Sequence, residues 1–226
     1  MMTRREFSGR LAAAAAGLPG AAPAAQLGEA EAARGVRAAL ERGALAAMGL
    51  LGRNDGFLGN PRVRIPLPPA LAQAERLLRA AGQGRQIEEL TTTINRAAEA
   101  AVPQARALFV ATVKAMSVED ALSIVRGGDT AVTEFFARKT RQPLGEEFLP
   151  IVTRATAKLR LAERYDALAG KAAALGLLKG EQTSLPRYVT AKALDGLYLT
   201  IGDEERKLRA DPVGTGSALL ARVFGR

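Results

Sequence analysis

Asn95 and Glu99 stand one helical turn apart in a stretch otherwise rich in alanine and isoleucine, and they are the first side chains in this chain whose types and spacing could do chemistry. Residues at i and i+4 neighbour each other on a helix, so an amide and a carboxylate would project together. Glu88 and Thr92 extend the same polar stripe beside the apolar face of Ile87, Leu90 and Ile94. Such a stripe is either a solvated face or a polar cluster that receives a cation from elsewhere in the chain. A second set, Asp129, Thr130 and Thr133, follows Gly127-Gly128 and opens a helix. Free amides at a helix start can hold an anion, although helix capping by Asp129 or Thr130 uses the same residues. A third set, Asp203-Glu204-Glu205, is the densest acidic group. Successive helical positions diverge by about 100 degrees, so these three cannot converge on one ion and read as a solvated face.

The chemistry that is missing narrows the field further. The chain has no Cys and no His. Thiol nucleophiles, disulfides, the usual zinc sites, Ser–His triads and imidazole acid–base catalysis are therefore excluded. No metal site and no cofactor are expected. A hydrolase that uses carboxylates alone, as glycosidases do, remains an alternative, and it needs two inward-facing acids in a cleft. The net charge is +9, carried mostly by arginine. The basic residues are dispersed, with few aromatics among them for base stacking, so nucleic acid is not an expected partner.

The elements that must position these residues are legible from one end to the other. Arg4-Arg5 precede a weakly apolar run from Leu11 to Leu18, and Ala22-Pro23-Ala24 follows as a small-x-small cleavage site. This order is that of an export signal, and the paired arginines resemble the twin-arginine kind, which carries folded cargo. Cleavage is expected after Ala24, leaving 25–226 as a single all-α domain in the periplasm. The apolar run is about half the ~20 residues that a spanning helix requires, and no later stretch approaches that length, so no transmembrane segment is expected in the mature chain.

A long amphipathic helix is predicted over Glu29–Leu51, with Val36, Leu40, Ala47 and Leu51 facing inward. Asn54-Asp55-Gly56 is turn chemistry. The segment Phe57–Pro69 then carries four prolines and alternates Val63, Ile65 and Leu67 against Arg62, Arg64 and Pro66. That period of two belongs to extended chain. Prolines lack ladder donors and forbid a central strand. The segment is expected to be a strap across a helical bundle, with a short β-ribbon as the other form it could take. Arg64 is expected to reach the carboxylate of Glu99 and clamp the strap down. In that case Arg64→Ala would cost about 3–5 kcal/mol as a broken buried pair, against under about 1 kcal/mol for an exposed one.

Further helices are predicted from Pro69 to about Ala81, from Gln86 to Ala101 with Ala98 and Ala101 completing the inward face, and from Pro103 through Ala105, Phe109, Val113 and Met116. Ser117 to Asp120 reads as a capping box with Asp in place of Glu, ahead of Val118, Ala121, Leu122 and Val125. A helix with Val132, Phe135 and Phe136 follows, and Gln142-Pro143 is expected to start a new segment bearing Phe148, Ile151, Val152, Ala155 and Leu159. Short pieces carry Tyr165, Leu168, Leu175 and Leu178, and Gly180–Ser184 is a loop. Leu185–Leu208 is helix, with Val189, Leu194, Leu197 and Ile201 inward. A last amphipathic stretch holds Leu219, Leu220, Val223 and Phe224. Short connections favour antiparallel packing in one helical bundle.

Several passages together resemble the bacterial domain of unknown function family 4197. They are Phe57-Leu58-Gly59-Asn60, Ile65-Pro66-Leu67-Pro68, Asn95-Arg96-Ala97-Ala98-Glu99, Met116-Ser117 with Asp120-Ala121, Gly128-Asp129-Thr130, and Ala193-Leu194-Asp195-Gly196-Leu197 with Glu204-Glu205 beyond. The resemblance runs from about Leu27 to Phe224. It implies an exported bacterial protein of this length and assigns no activity. The expected function is non-enzymatic binding of a hydrophobic ligand or lipid, with an envelope protein–protein scaffold as the alternative. The candidate binding residues are Asn60, Arg64, Asn95, Glu99, Asp129, Thr130 and Thr133.

Overall fold

The computed structural model describes residues 29–125, 127, 131–177 and 184–211. The export segment, Asp129, Thr130, Leu178, most of the 180–184 loop and the Leu219–Phe224 stripe lie outside the described residues. So do the side-chain surroundings of Ala105, Leu122, Val125, Val132 and Phe136. Among the described residues the chain is all-helical: α1 (Glu29–Leu51), α2 (Pro69–Ala80), α3 (Gly84–Ala101), a 3-10 turn (Val102–Ala105), α4 (Arg106–Lys114), α5 (Val118–Val125), α6 (Ala131–Lys158), α7 (Leu161–Ala174) and α8 (Leu185–Ala210).

Helix α3 occupies the centre. It packs against α2, α6, α7 and α8, and its buried residues run almost all the way round, from Ile87 through Leu90, Ile94, Ala97 and Ala98 to Ala101. Its first turns keep Arg85, Glu88 and Glu89 in water, whereas its later turns are enclosed, and Asn95 and Glu99 lie inside there. Helix α8 lies between α1 and α6. Thr133 meets Glu205, Thr140 meets Tyr198 and Arg141 meets Asp195, so rising numbers on α6 face falling numbers on α8 and the two run antiparallel. Alanine and glycine permit close approach on the other side of α8. A Cβ at Gly43 of α1 would lie 3.7 Å from the Cβ of Glu204. The inward stripes predicted for α1, α3 and α8 are buried as expected. The Ser117–Asp120 capping box is reciprocal: the Asp120 amide donates to Ser117 Oγ at 3.0 Å and the Ser117 amide to Asp120 Oδ2 at 3.3 Å.

The structure departs from the sequence expectation at four places. Pro143 does not start a new helix, because α6 runs unbroken for 28 residues with Pro143 and Pro150 inside it. Both prolines stand on the exposed side, so the carbonyls they leave unbonded, at Lys139 and Glu146, face water. Leu175 and Val118 are exposed rather than inward, since each sits at a helix end where the stripe has run past its neighbour. Glu205 is buried and accepts a hydrogen bond from Thr133, so the acidic group at 203–205 is not wholly a solvated face. The fourth is the strap: Gly52–Pro68 forms turns and extended chain with no strand, so the β-ribbon form is not taken. Its apolar side is buried as the alternation predicts, with Val63, Ile65 and Leu67 inward and Arg62, Arg64 and Pro66 outward.

The strap seats on α8 at a glycine. A Cβ at Gly196 would lie 2.8 Å from Phe57 Cε1 and 3.3 Å from Val63 Cβ, and Phe57 is fully buried and cannot swing away. Gly196→Ala is therefore expected to destabilise the fold by about 1–3 kcal/mol, the usual cost of overpacking, despite alanine's better helix propensity. Thermal denaturation of this variant beside Gly49→Ala, where a Cβ meets nothing within 4 Å, separates crowding from propensity.

Candidate functional site

The motif residues converge on the strap, and they hold its backbone rather than its side chains. Asn95 is fully buried on α3. Its Oδ1 accepts the Ile65 amide at 2.8 Å, and its Nδ2 donates to the Ile65 carbonyl at 2.9 Å and to the Thr91 carbonyl at 2.8 Å. A primary amide carries the same donor and acceptor as a peptide group. Asn95 thus gives Ile65 the two bonds that a neighbouring strand would give, without requiring a ladder that Pro66 and Pro68 would interrupt.

Glu99 does the same work one turn along. Its Oε1 accepts the amides of Phe57 at 3.0 Å and Leu58 at 3.1 Å. Its Oε2 takes Arg96 Nη1 at 2.6 Å, and Arg96 Nη2 reaches Asp55 at 2.8 Å. The side chain of Glu99 is 5 % exposed, so this buried carboxylate is satisfied by three donors, one of them cationic. The hydrogen bond to Glu99 raises the Arg96 pKa further above its already high ordinary value. Its three donors commit Glu99 to the strap and to Arg96, at a buried place rather than in a cleft of the kind a hydrolytic carboxylate needs. Asp55 holds a left-handed backbone, φ 61°, which Asp tolerates better than most residues in such a turn.

Asn60 shapes the strap from within. Its Oδ1 accepts the Arg62 amide at 3.1 Å, an Asx turn, and its carbonyl accepts the amides of Val63 and Arg64. The far end is held by Tyr188 on α8, whose hydroxyl points at the carbonyls of Pro66 at 3.0 Å and Leu67 at 3.2 Å. Burial raises the Tyr188 pKa, which keeps the phenol protonated and able to donate. Arg62 pairs with Asp203 of α8.

Arg64 does not meet Glu99. It lies outward and approaches Glu88 at 3.6 Å, with both side chains about half exposed, because the alternation of the strap turns Arg62, Arg64 and Pro66 to solvent. The cation that pairs with Glu99 is Arg96, three residues away on the same helix. Thr133 stands apart from this cluster, donating to Glu205 across the α6–α8 contact at 3.1 Å. Sequence reasoning missed Arg96, Asp55 and Tyr188. Arg96 and Glu99 at i and i+3 carried a readable signal, whereas nothing local marked Tyr188.

Two of the open grooves on the surface combine apolar lining with arginine. One, of about 290 Å³, runs between α6 and α8 and is lined by Gly145, Leu149, Ala191 and Leu194 together with Arg141, Gln142, Glu146 and Arg187. Thr190 also lines it, and its buried hydroxyl has no hydrogen-bond partner among the described residues. The other, of about 560 Å³, lies between the end of α1, the start of the strap and the Pro103–Arg106 turn.

The clamp geometry fixes the outcome of substitution. Glu99→Ala is expected to cost about 2–4 kcal/mol in urea denaturation, since it leaves the buried Phe57 amide and the partly buried Leu58 amide without their acceptor while Arg96 keeps Asp55. Arg64→Ala should cost under about 1 kcal/mol. Asn95→Asp places an anion against two carbonyls and is expected to be more damaging than Asn95→Ala at pH 7. Its burial raises the folded-state carboxyl pKa, so the folded state binds the proton first and stability returns as pH falls through that raised value towards about 4. A loss that is flat with pH would refute this account of Asn95.

The strap, its clamp on α3 and its seat on α8 contain four of the passages that carry the family resemblance, Phe57–Asn60, Ile65–Pro68, Asn95–Glu99 and Ala193–Leu197. No curated protein and no solved structure matches the chain. A family model described as "Protein of unknown function (DUF4197)" matches residues 26–225, and the chain belongs to that family.

Proposed function

We propose that this chain is an exported, periplasmic protein that binds an apolar ligand, a lipid or a molecule of similar character, without performing chemistry on it. The observation that carries the reading is the α6–α8 groove. Leu149, Ala191 and Leu194 give it an apolar lining, and Arg187, which has no ion-pair partner among the described residues, lines it beside them. Ligand sites combine this kind of apolar surface with a few polar groups that fix orientation. Arg187 is one such group. The polar cluster at Asn95 and Glu99, by contrast, is occupied by the strap. The export part of the proposal rests on the Arg4-Arg5 segment and the Ala22-Pro23-Ala24 site.

A scaffolding role in the envelope is a second reading. Its support is the exposure of Leu77 on α2 and Leu175 at the end of α7, 54 % and 52 %, on helices that touch each other.

Native mass spectrometry of gently purified protein is expected to show a co-purifying apolar molecule. Ala191→Phe, which fills the groove from an exposed position, should abolish that adduct while leaving the melting temperature within a few degrees. No adduct, together with no uptake of a fluorescent fatty-acid probe, would sink the ligand reading. Replacing Arg4 and Arg5 by Lys is expected to retain the full-length chain inside the cell, and periplasmic fractionation reads the result directly.

A further inference from the structure

The cleft at the end of α1 differs from the α6–α8 groove in its charge. It is lined by Leu45, Met48, Gly49, Gly52, Arg53, Pro103 and Arg106, with no carboxylate among them. Neither Arg53 nor Arg106 has an ion-pair partner among the described residues, whereas Arg62, Arg79, Arg96 and Arg141 each meet a carboxylate within 3 Å. Two unpaired guanidinium groups over an apolar floor suit a ligand with an anionic head and an apolar body. Guanidinium favours phosphate in particular, because its planar donors can bond two oxygens at once.

The face around the cleft favours one source for that head. Leu50, near the end of α1, is 37 % exposed and precedes Arg53, one of the cleft's two arginines, by three residues, so an exposed apolar side chain lies in the same short stretch of chain as a cation of the cleft. Exposed leucine flanked by arginine is the pairing that settles at a lipid surface, the apolar group entering the acyl boundary and the cations meeting headgroups. We propose that this cleft docks the protein on a membrane by taking the headgroup of an anionic phospholipid. Arg53 and Arg106 meet the phosphate, the glycerol backbone rests on Leu45, Met48 and Pro103, and Leu50 enters the bilayer. The site is separate from the α6–α8 groove, and its failure would leave the apolar-ligand reading standing.

Gly49 supplies a clean test. A Cβ built there meets nothing within 4 Å, so Gly49→Met fills the cleft without crowding the fold and without changing charge. The full chain is co-sedimented with phosphatidylcholine vesicles, with and without phosphatidylglycerol, and each variant's fold is checked by circular dichroism. Binding is expected only with phosphatidylglycerol. Arg53→Gln with Arg106→Gln should weaken it by about fivefold per arginine. Gly49→Met should also weaken it severalfold. Arg154→Gln with Lys158→Gln, which removes the same charge from exposed positions on α6, should leave it within about twofold. Equal loss in that control would mean diffuse attraction to the basic chain and would overturn the proposal. So would an unchanged Gly49→Met, equal binding to neutral vesicles, or no binding. Full displacement from vesicles by soluble glycerol phosphate at matched ionic strength would assign the cleft to a free phosphate ester instead, and would equally overturn it.

Discussion

The backbone of a proline-rich segment has to find hydrogen-bond partners inside an all-helical protein, and the rest of this structure is arranged around that need. Helices satisfy their own amides and carbonyls, so a helical core offers an extended chain almost nothing to bond to. Here α3 offers two side chains that imitate what a strand would give. Asn95 exchanges both bonds with Ile65, and Glu99 gathers the amides of Phe57 and Leu58. Once those polar groups are satisfied, Phe57, Val63, Ile65 and Leu67 can be buried between α3 and α8. Without them the burial of apolar side chains would drag unpaired peptide groups out of water, at about 1–3 kcal/mol for each.

This accounts for the position of α3 and for the identity of its neighbours. A helix that carries a buried amide and a buried carboxylate must be enclosed, and the carboxylate needs a cation close by. Arg96 meets that need from the same helix and reaches on to Asp55, so the charge of Glu99 is balanced where the strap begins. Helix α8 closes the strap from the other side. Gly196 clears space for Phe57, Tyr188 reaches the carbonyls of Pro66 and Leu67, and Asp203 takes Arg62. The polar cluster that looks most like a site in the sequence is thus a built-in clamp. Places left for other molecules among the described residues include the apolar groove between α6 and α8 and the arginine-lined cleft at the end of α1.

Much of the fold is readable from local pattern. The bounds of α1 and the inward faces of α1, α3 and α8 follow from apolar residues recurring at three and four positions. The capping box at Ser117 fixes the start of α5. The strap's inner and outer faces follow from its period of two. The failures share one cause. Pro143 has the residue type of a boundary, but the lost bond falls on the solvent side of a helix held by packing along its length, and tertiary contact overrides the local preference. Arg64 and Arg96 are equally plausible partners for Glu99 on charge alone. Only the direction in which each side chain leaves its backbone separates them.

The sequence by itself determined that the chain is helical, that residues 57–69 cannot be, and which side of that segment faces the core, because backbone sterics and the spacing of apolar residues act over a few neighbours. It also excluded imidazole and thiol chemistry outright. Only the tertiary structure decided that Asn95 and Glu99 bond to backbone across 30 and 42 residues, that Arg96 and not Arg64 balances the buried charge, and that Arg53 and Arg106 share a cleft without carboxylates. Those outcomes depend on the mutual placement of helices far apart in the chain, and no local propensity encodes that placement.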